Sequence, residues 1–200
     1  RSGPQLARLE AEVRRAFTLE ENMSSRSVAK IVKGYKVVDG AGVHLVRVLG
    51  PNTIKAFDPF LLLDAFDSKD PKKYLPGFPM HPHRGIETVT YLIHGVLNHK
   101  DSLGHEGVIH DGCCQWMTAG GGILHQEMPQ SVPHLLGLQL WINLPAKDKF
   151  APPKYRDIEA ETLPVTREDG VEVRILCGTY KGTAGAMQAD YVPAVYLDAH

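Results

Sequence analysis

The run that most constrains what this chain can fold into is 136–144, LGLQLWINL. Leu136, Leu138, Leu140, Ile142 and Leu144 fall on one side of an extended backbone, and Gly137, Gln139, Trp141 and Asn143 fall on the other. A period of two is foreign to a helix, so the run predicts a strand in a barrel wall with one face in the core. Shorter segments repeat the pattern. Residues 43–49 read as a strand, 57–66 as a mostly buried run, 94–100 as the start of a strand after a turn at Gly95, and 113–118 as another strand. In 87–93, Val89, Tyr91 and Ile93 point one way and Thr88 and Thr90 the other. Turn residues cut these segments apart. Residues 68–79 hold four Lys or Asp residues and three prolines, Asp111-Gly112 is a tight-turn pair, and three glycines at 120–122 break the chain again. Short strands at this spacing predict an all-β antiparallel sandwich or barrel.

Both flanks of this region read differently. Over 146–170, prolines and alternating charges predict a linker with one helical turn near 158–162. Strands are expected at 171–177 and 191–197. Two strands cannot bury a second face. They therefore complete the first barrel, pair with another chain through 171–198, or open a second domain. Pro193 lacks a backbone donor and belongs at a sheet edge. Residues 1–26 are expected as an N-terminal extension, helical or disordered, with Leu6, Leu9, Val13 and Phe17 in helical phase. It lacks the apolar core of a secretory signal, and its four glutamates argue against an organelle transit peptide. A net charge of −1 gives no basic excess for direct nucleic-acid contact, and no apolar run reaches membrane-spanning length. Cys113, Cys114 and Cys177 form no disulfide framework, which fits a reducing, cytoplasmic setting.

The chemistry concentrates in two dyads. In His81-Pro82-His83 the imidazoles are two residues apart and share one face of a strand. His125-Gln126-Glu127 repeats the spacing after a glycine run that lets the backbone come close. With the two strands side by side, three imidazoles and one carboxylate converge on one ion. Such ligands suit Fe(II), Mn, Ni, Cu or Zn. A tetrahedral Zn would use all four, whereas an octahedral Fe(II) would keep two positions open. Glu87, an even step from His83, is read on the same face, as a fifth ligand or as a partner that orients an imidazole. His94, His99 and His105 are read as surface or hydrogen-bonding residues flanking a hairpin, and His44, His110, His134 and His200 similarly. Trp116 and Trp141 are read as core or pocket wall.

The stretches FDPFLLLDAF (57–66), GFPMHPHRGIETVTYLIHG (77–95), QWMTAGGGILHQEMP (115–129) and GLQLWINLP (137–145) together resemble the pirin family of the cupin superfamily over roughly 27–198. The resemblance implies a bicupin, with a jelly-roll-like antiparallel barrel over 27–145 and the opening strands of a second cupin domain over 171–200. It implies iron held by His81, His83, His125 and Glu127, while Glu87 takes the place of the usual cupin glutamate, generally not a ligand in pirins. Two functions are described for such proteins. One is quercetin 2,3-dioxygenase activity, which opens a flavonol ring with dioxygen, with Glu127 or Glu87 as candidate base. The other is a redox-responsive cofactor of a transcription factor, nuclear in eukaryotes. Many relatives carry an arginine in the glycine run where this chain has Gly121.

Overall fold

Alternating side chains and closely spaced turns leave the chain almost no room for helix, and the computed structural model is built accordingly. It describes residues 27–200; the extension expected over 1–26 lies outside them. In chain order the strands are β1 (Tyr35–Asp39), β2 (Val43–Leu49), β3 (Phe60–Ser68), β4 (Phe78–His83), β5 (Ile86–His94), β6 (Leu97–Asp101), β7 (Glu106–Ile109), β8 (Cys114–Thr118), β9 (Ile123–Pro129), β10 (Leu135–Asn143), β11 (Lys154–Ile158), β12 (Val165–Glu168), β13 (Val171–Cys177), β14 (Thr179–Tyr180), β15 (Thr183–Ala184) and β16 (Tyr196–Ala199). A seven-stranded sheet runs β1-β2-β3-β10-β5-β8-β11, and a four-stranded sheet runs β4-β9-β6-β7. The pairings within both are antiparallel.

Consecutive strands repeatedly change sheet. Gly85 and Gly95 sit at two of these corners with φ of +70° and +129°, a region in which a side chain is strained. The turn expected at Gly95 is therefore a corner, and the hairpin in this region is β6–β7. The two sheets face each other in a flattened jelly-roll barrel of cupin type. Across the gap Phe66 meets Phe78 at 6.0 Å and Trp141 meets His83 at 5.0 Å between ring centres.

The inward face of the large sheet carries the polar set. On β10 it is Gln139 and Trp141 that look into the barrel, and on β5 it is Thr88 and Thr90. One inward residue per strand forms a row across the sheet. Arg47 pairs with Asp64, Asp64 with Gln139, Gln139 with Thr90, Thr90 with Gln115, and Gln115 with Asp157. The apolar alternates Val89, Tyr91, Trp116 and Ile142 form a second core on the outer face with Ile158, Leu163, Leu176, Cys177 and Met187. Segment 146–170, expected as a linker, thus supplies β11, the last strand of the large sheet, as well as β12.

The strands after residue 164 cover that outer face. β12, β13 and β16 form a three-stranded sheet, and the β13 side chains Ile175, Leu176 and Cys177 are fully buried. Tyr91 Oη donates to Asp198 Oδ2 at 2.6 Å, tying the barrel to β16. The strand expected at 191–197 forms only over Tyr196–Ala199, so Pro193 precedes it. The tail thus forms a sheet of its own against the outer face of the barrel.

Candidate metal centre

β4 and β9 are neighbours, and their register places His81 directly opposite His125. His83 lies two residues along the same face of β4, and Glu127 two residues along β9. The barrel interior thus receives all four side chains. His81 Nδ1 is 2.9 Å from the carbonyl of Pro79, which fixes the ring and aims Nε2 at Nε2 of His83, 3.1 Å away. Two nitrogens that bind one ion at about 2.1 Å and at right angles stand about 3 Å apart. The ligand atoms of His81, His83 and His125 all lie within 4.8 Å of one another, and they are the one such group among the described residues. Glu127 stands at the edge of this trio, its Oε2 4.0 Å from His125 Nε2.

The electrostatics suit a cation. His83 is pushed down to about 3 by burial, then by the charges of His125 and His81. His125 is pushed down to about 3 by burial and then by His81 and His99. Both imidazoles are therefore neutral at pH 7, with lone pairs free to bind a metal. His125 is 1% exposed, yet neither of its ring nitrogens has a hydrogen-bond partner. A buried, unpaired imidazole costs free energy that an ion beside it would repay. By donor type, burial and this orphaned ring, the residues fit a metal.

Burial raises the Glu127 carboxyl above its ordinary value, against the opposing pull of His81 and a Thr90 hydrogen bond. Thr90 Oγ1 is 3.0 Å from Glu127 Oε1 and 2.6 Å from Gln139 Oε1. Its single hydrogen serves one of them at a time. With Glu127 ionised, Thr90 donates to it. With Glu127 protonated, the carboxyl donates to Thr90, which turns to Gln139.

Glu87 does not join the trio. A corner at Gly85 separates it from His83 and puts it on another strand in the other sheet, so counting even steps from His83 across that corner fails. On β5 it alternates with Thr88 and shares the outward phase of Val89. It is fully buried there, accepts from Thr118 Oγ1 at 2.7 Å, and is raised by burial. His99, read as a surface or hydrogen-bonding residue, is instead buried, lies across from Glu127 on β6, and stacks on Tyr155 with ring centres 5.6 Å apart. The signal was available, since His99 shares its phase with buried Leu97 and Asp101. His94 and His134 pair with Asp111 and Asp67 near the surface, and exposed His105 pairs with buried Asp101.

His81, His83 and Glu127 line a cavity of about 380 Å³. Leu62, Phe66, Phe78 and Trp141 give it apolar walls, and Asp39, Arg47, Asp64 and Gln139 give it polar ones.

A jelly-roll barrel with convergent imidazoles at the mouth of such a cavity is a cupin fold with a three-histidine candidate metal site. Within that class the chain belongs to the pirin family, whose model matches residues 42–142. It is 51% identical over 179 residues to a pirin-like protein of Caulobacter vibrioides, covering 88% of this chain and 65% of that one. It is 42% identical over 176 residues to the pirin of Homo sapiens, covering 88% and 59%. A crystal structure of quercetin 2,3-dioxygenase from Acinetobacter baumannii superposes with a TM-score of 0.75 at 34% identity, covering 84% of this chain and 62% of that one. The chain therefore spans about three fifths of the length of these relatives. Among the described residues no helix is long and apolar enough to cross a membrane.

Proposed function

We propose that this protein is a metal-dependent dioxygenase acting on flavonols, with the ion held by His81, His83, His125 and Glu127. The observation that carries the reading is the histidine trio beside a buried carboxylate, with His81, His83 and Glu127 lining a cavity with aromatic walls. Its volume of about 380 Å³ falls within the roughly 300–1,000 Å³ of small-molecule sites. The likeness to a quercetin 2,3-dioxygenase supports the substrate class. Fe(II) is the preferred ion, and Mn, Ni, Cu and Zn share the same ligand chemistry. Bound there, the ion would act as a Lewis acid toward the flavonol's adjacent oxygens and dioxygen.

The chain's own residues supply the rest. Trp141, Phe66 and Phe78 offer flat apolar surface to the rings and exclude water. Glu127, when detached from the ion, would take the proton of the flavonol hydroxyl at a carboxylate oxygen. Thr90 meets either form of Glu127 with a hydrogen bond, so the transfer leaves no buried orphan. Glu87, on the outer face, is not used as the base.

The test is oxygen uptake with quercetin by protein loaded in turn with each of the five metals. Uptake should depend on added metal and be lost in Glu127→Gln. If no metal supports flavonol consumption, the dioxygenase reading gives way to that of a redox-responsive cofactor of a transcription factor.

A further inference from the structure

One wall of the cavity is charged. Arg47 Nε donates to Asp64 Oδ1 at 2.9 Å and Arg47 Nη2 to Asp64 Oδ2 at 2.7 Å, a two-pronged grip. The same Nη2 reaches Asp39 Oδ2 at 2.7 Å. Asp64 is only 5% exposed, and burial raises its carboxyl against the pull of Arg47. A carboxylate offers about four lone-pair sites, and the Arg47 grip uses one on each oxygen. Half of the acceptor capacity of Asp64 therefore remains, in a buried group that lines a cavity. Gln139, its partner in strand register, lines the same cavity.

Spacing links this wall to the metal end. Thr90, Gln139 and Asp64 stand on three adjacent strands, so Asp64 lies two strand spacings, about 10 Å, from the Thr90 that meets Glu127. A rigid aromatic of two or three rings spans that length, with one end at the ion and the other at the carboxylate. The wall contributes two negative charges and one positive, and it repels an anionic ring substituent. It accepts from an uncharged hydroxyl.

From this arrangement we infer that Asp64, oriented by Arg47, is the specificity-determining acceptor for phenolic hydroxyls on the substrate's distal ring, with Gln139 beside it. The pocket then selects aromatics hydroxylated at both ends. This inference rests on the flavonol reading of the site, and equilibrium binding separates the two.

The probes are quercetin, which carries two hydroxyls on its distal ring, and galangin, the same flavonol without them. Binding is measured without oxygen, by quenching of tryptophan fluorescence, on the metal-loaded full chain. Wild type should bind quercetin more tightly than galangin. Asp64→Asn should weaken quercetin about tenfold or more, the loss of a hydrogen bond to a charged acceptor, and leave galangin within about twofold. Arg47→Lys keeps the positive charge but loses the grip, and it should shrink the same ratio if Asp64→Asn does not fold. Equal weakening of both flavonols, or of neither, overturns the subsite. If both probes bind as expected but neither is consumed with oxygen, ring cleavage fails and the subsite stands. If neither binds the loaded wild type, both readings fall.

Discussion

Burying neutral imidazoles ties the stability of the metal-free protein to pH. His83 and His125 sit near 3 in the folded chain and return to the ordinary 6.5 when it unfolds. Between those values the unfolded chain binds more protons than the folded one. Stability is therefore complete above pH 6.5 and is lost as the pH falls from 6.5 toward 3. One unit below 6.5, at pH 5.5, each ring accounts for a loss of about 1.4 kcal/mol. Glu127 and Glu87, raised by burial, work in the opposite sense, because the folded state takes up their protons first. The total slope thus mixes signs, and one ring is isolated by comparing wild type with His125→Gln. Glutamine keeps a polar side chain at the position and removes the titration. Urea unfolding of both proteins with chelator at pH 7.5 and 5.5 gives the two drops in stability. The wild-type drop should be larger by about 1.4 kcal/mol. Equal drops would refute the claim that burial holds this imidazole neutral.

Three further outcomes follow from single contacts. His81→Ala should lower metal affinity by more than the roughly 10–100-fold typical of losing a residue that only orients a ligand, read as metal retained after dialysis; full retention would remove His81 from the site. Gly120→Ala should cost about 2–3 kcal/mol in urea unfolding, because its φ is +51° and a Cβ there would lie 1.9 Å from the carbonyl oxygen of Ala151; an unchanged midpoint would contradict that close approach. Tyr91→Phe removes the hydrogen bond to Asp198 and should cost about 1.5–3 kcal/mol. Hydrogen exchange in β16 should then quicken, and unchanged exchange would mean the tail is held without that bond.

Local chemistry was enough to find the dyads and several of the barrel strands. Alternation at 136–144 and 87–93 marks β10 and β5 because side chains on a strand alternate whatever surrounds it. That His81 shares a face with His83, and His125 with Glu127, was legible for the same reason, since a two-residue step keeps a face within one unbroken strand. Glu87 shows where that logic stops. Its step from His83 crosses Gly85, where the chain changes sheet, and after a corner the count of residues no longer says which way a side chain points. Sequence also left open which face of each strand is the interior. Both faces of the large sheet are buried, one around the site and one beneath β13 and β16, and only the docked tail makes the apolar face the outer one. The row from Arg47 to Asp157 and the placing of His99 against Glu127 join residues far apart in the chain. Strand register decides such pairings, and register is set by packing between strands, which no single segment of sequence contains.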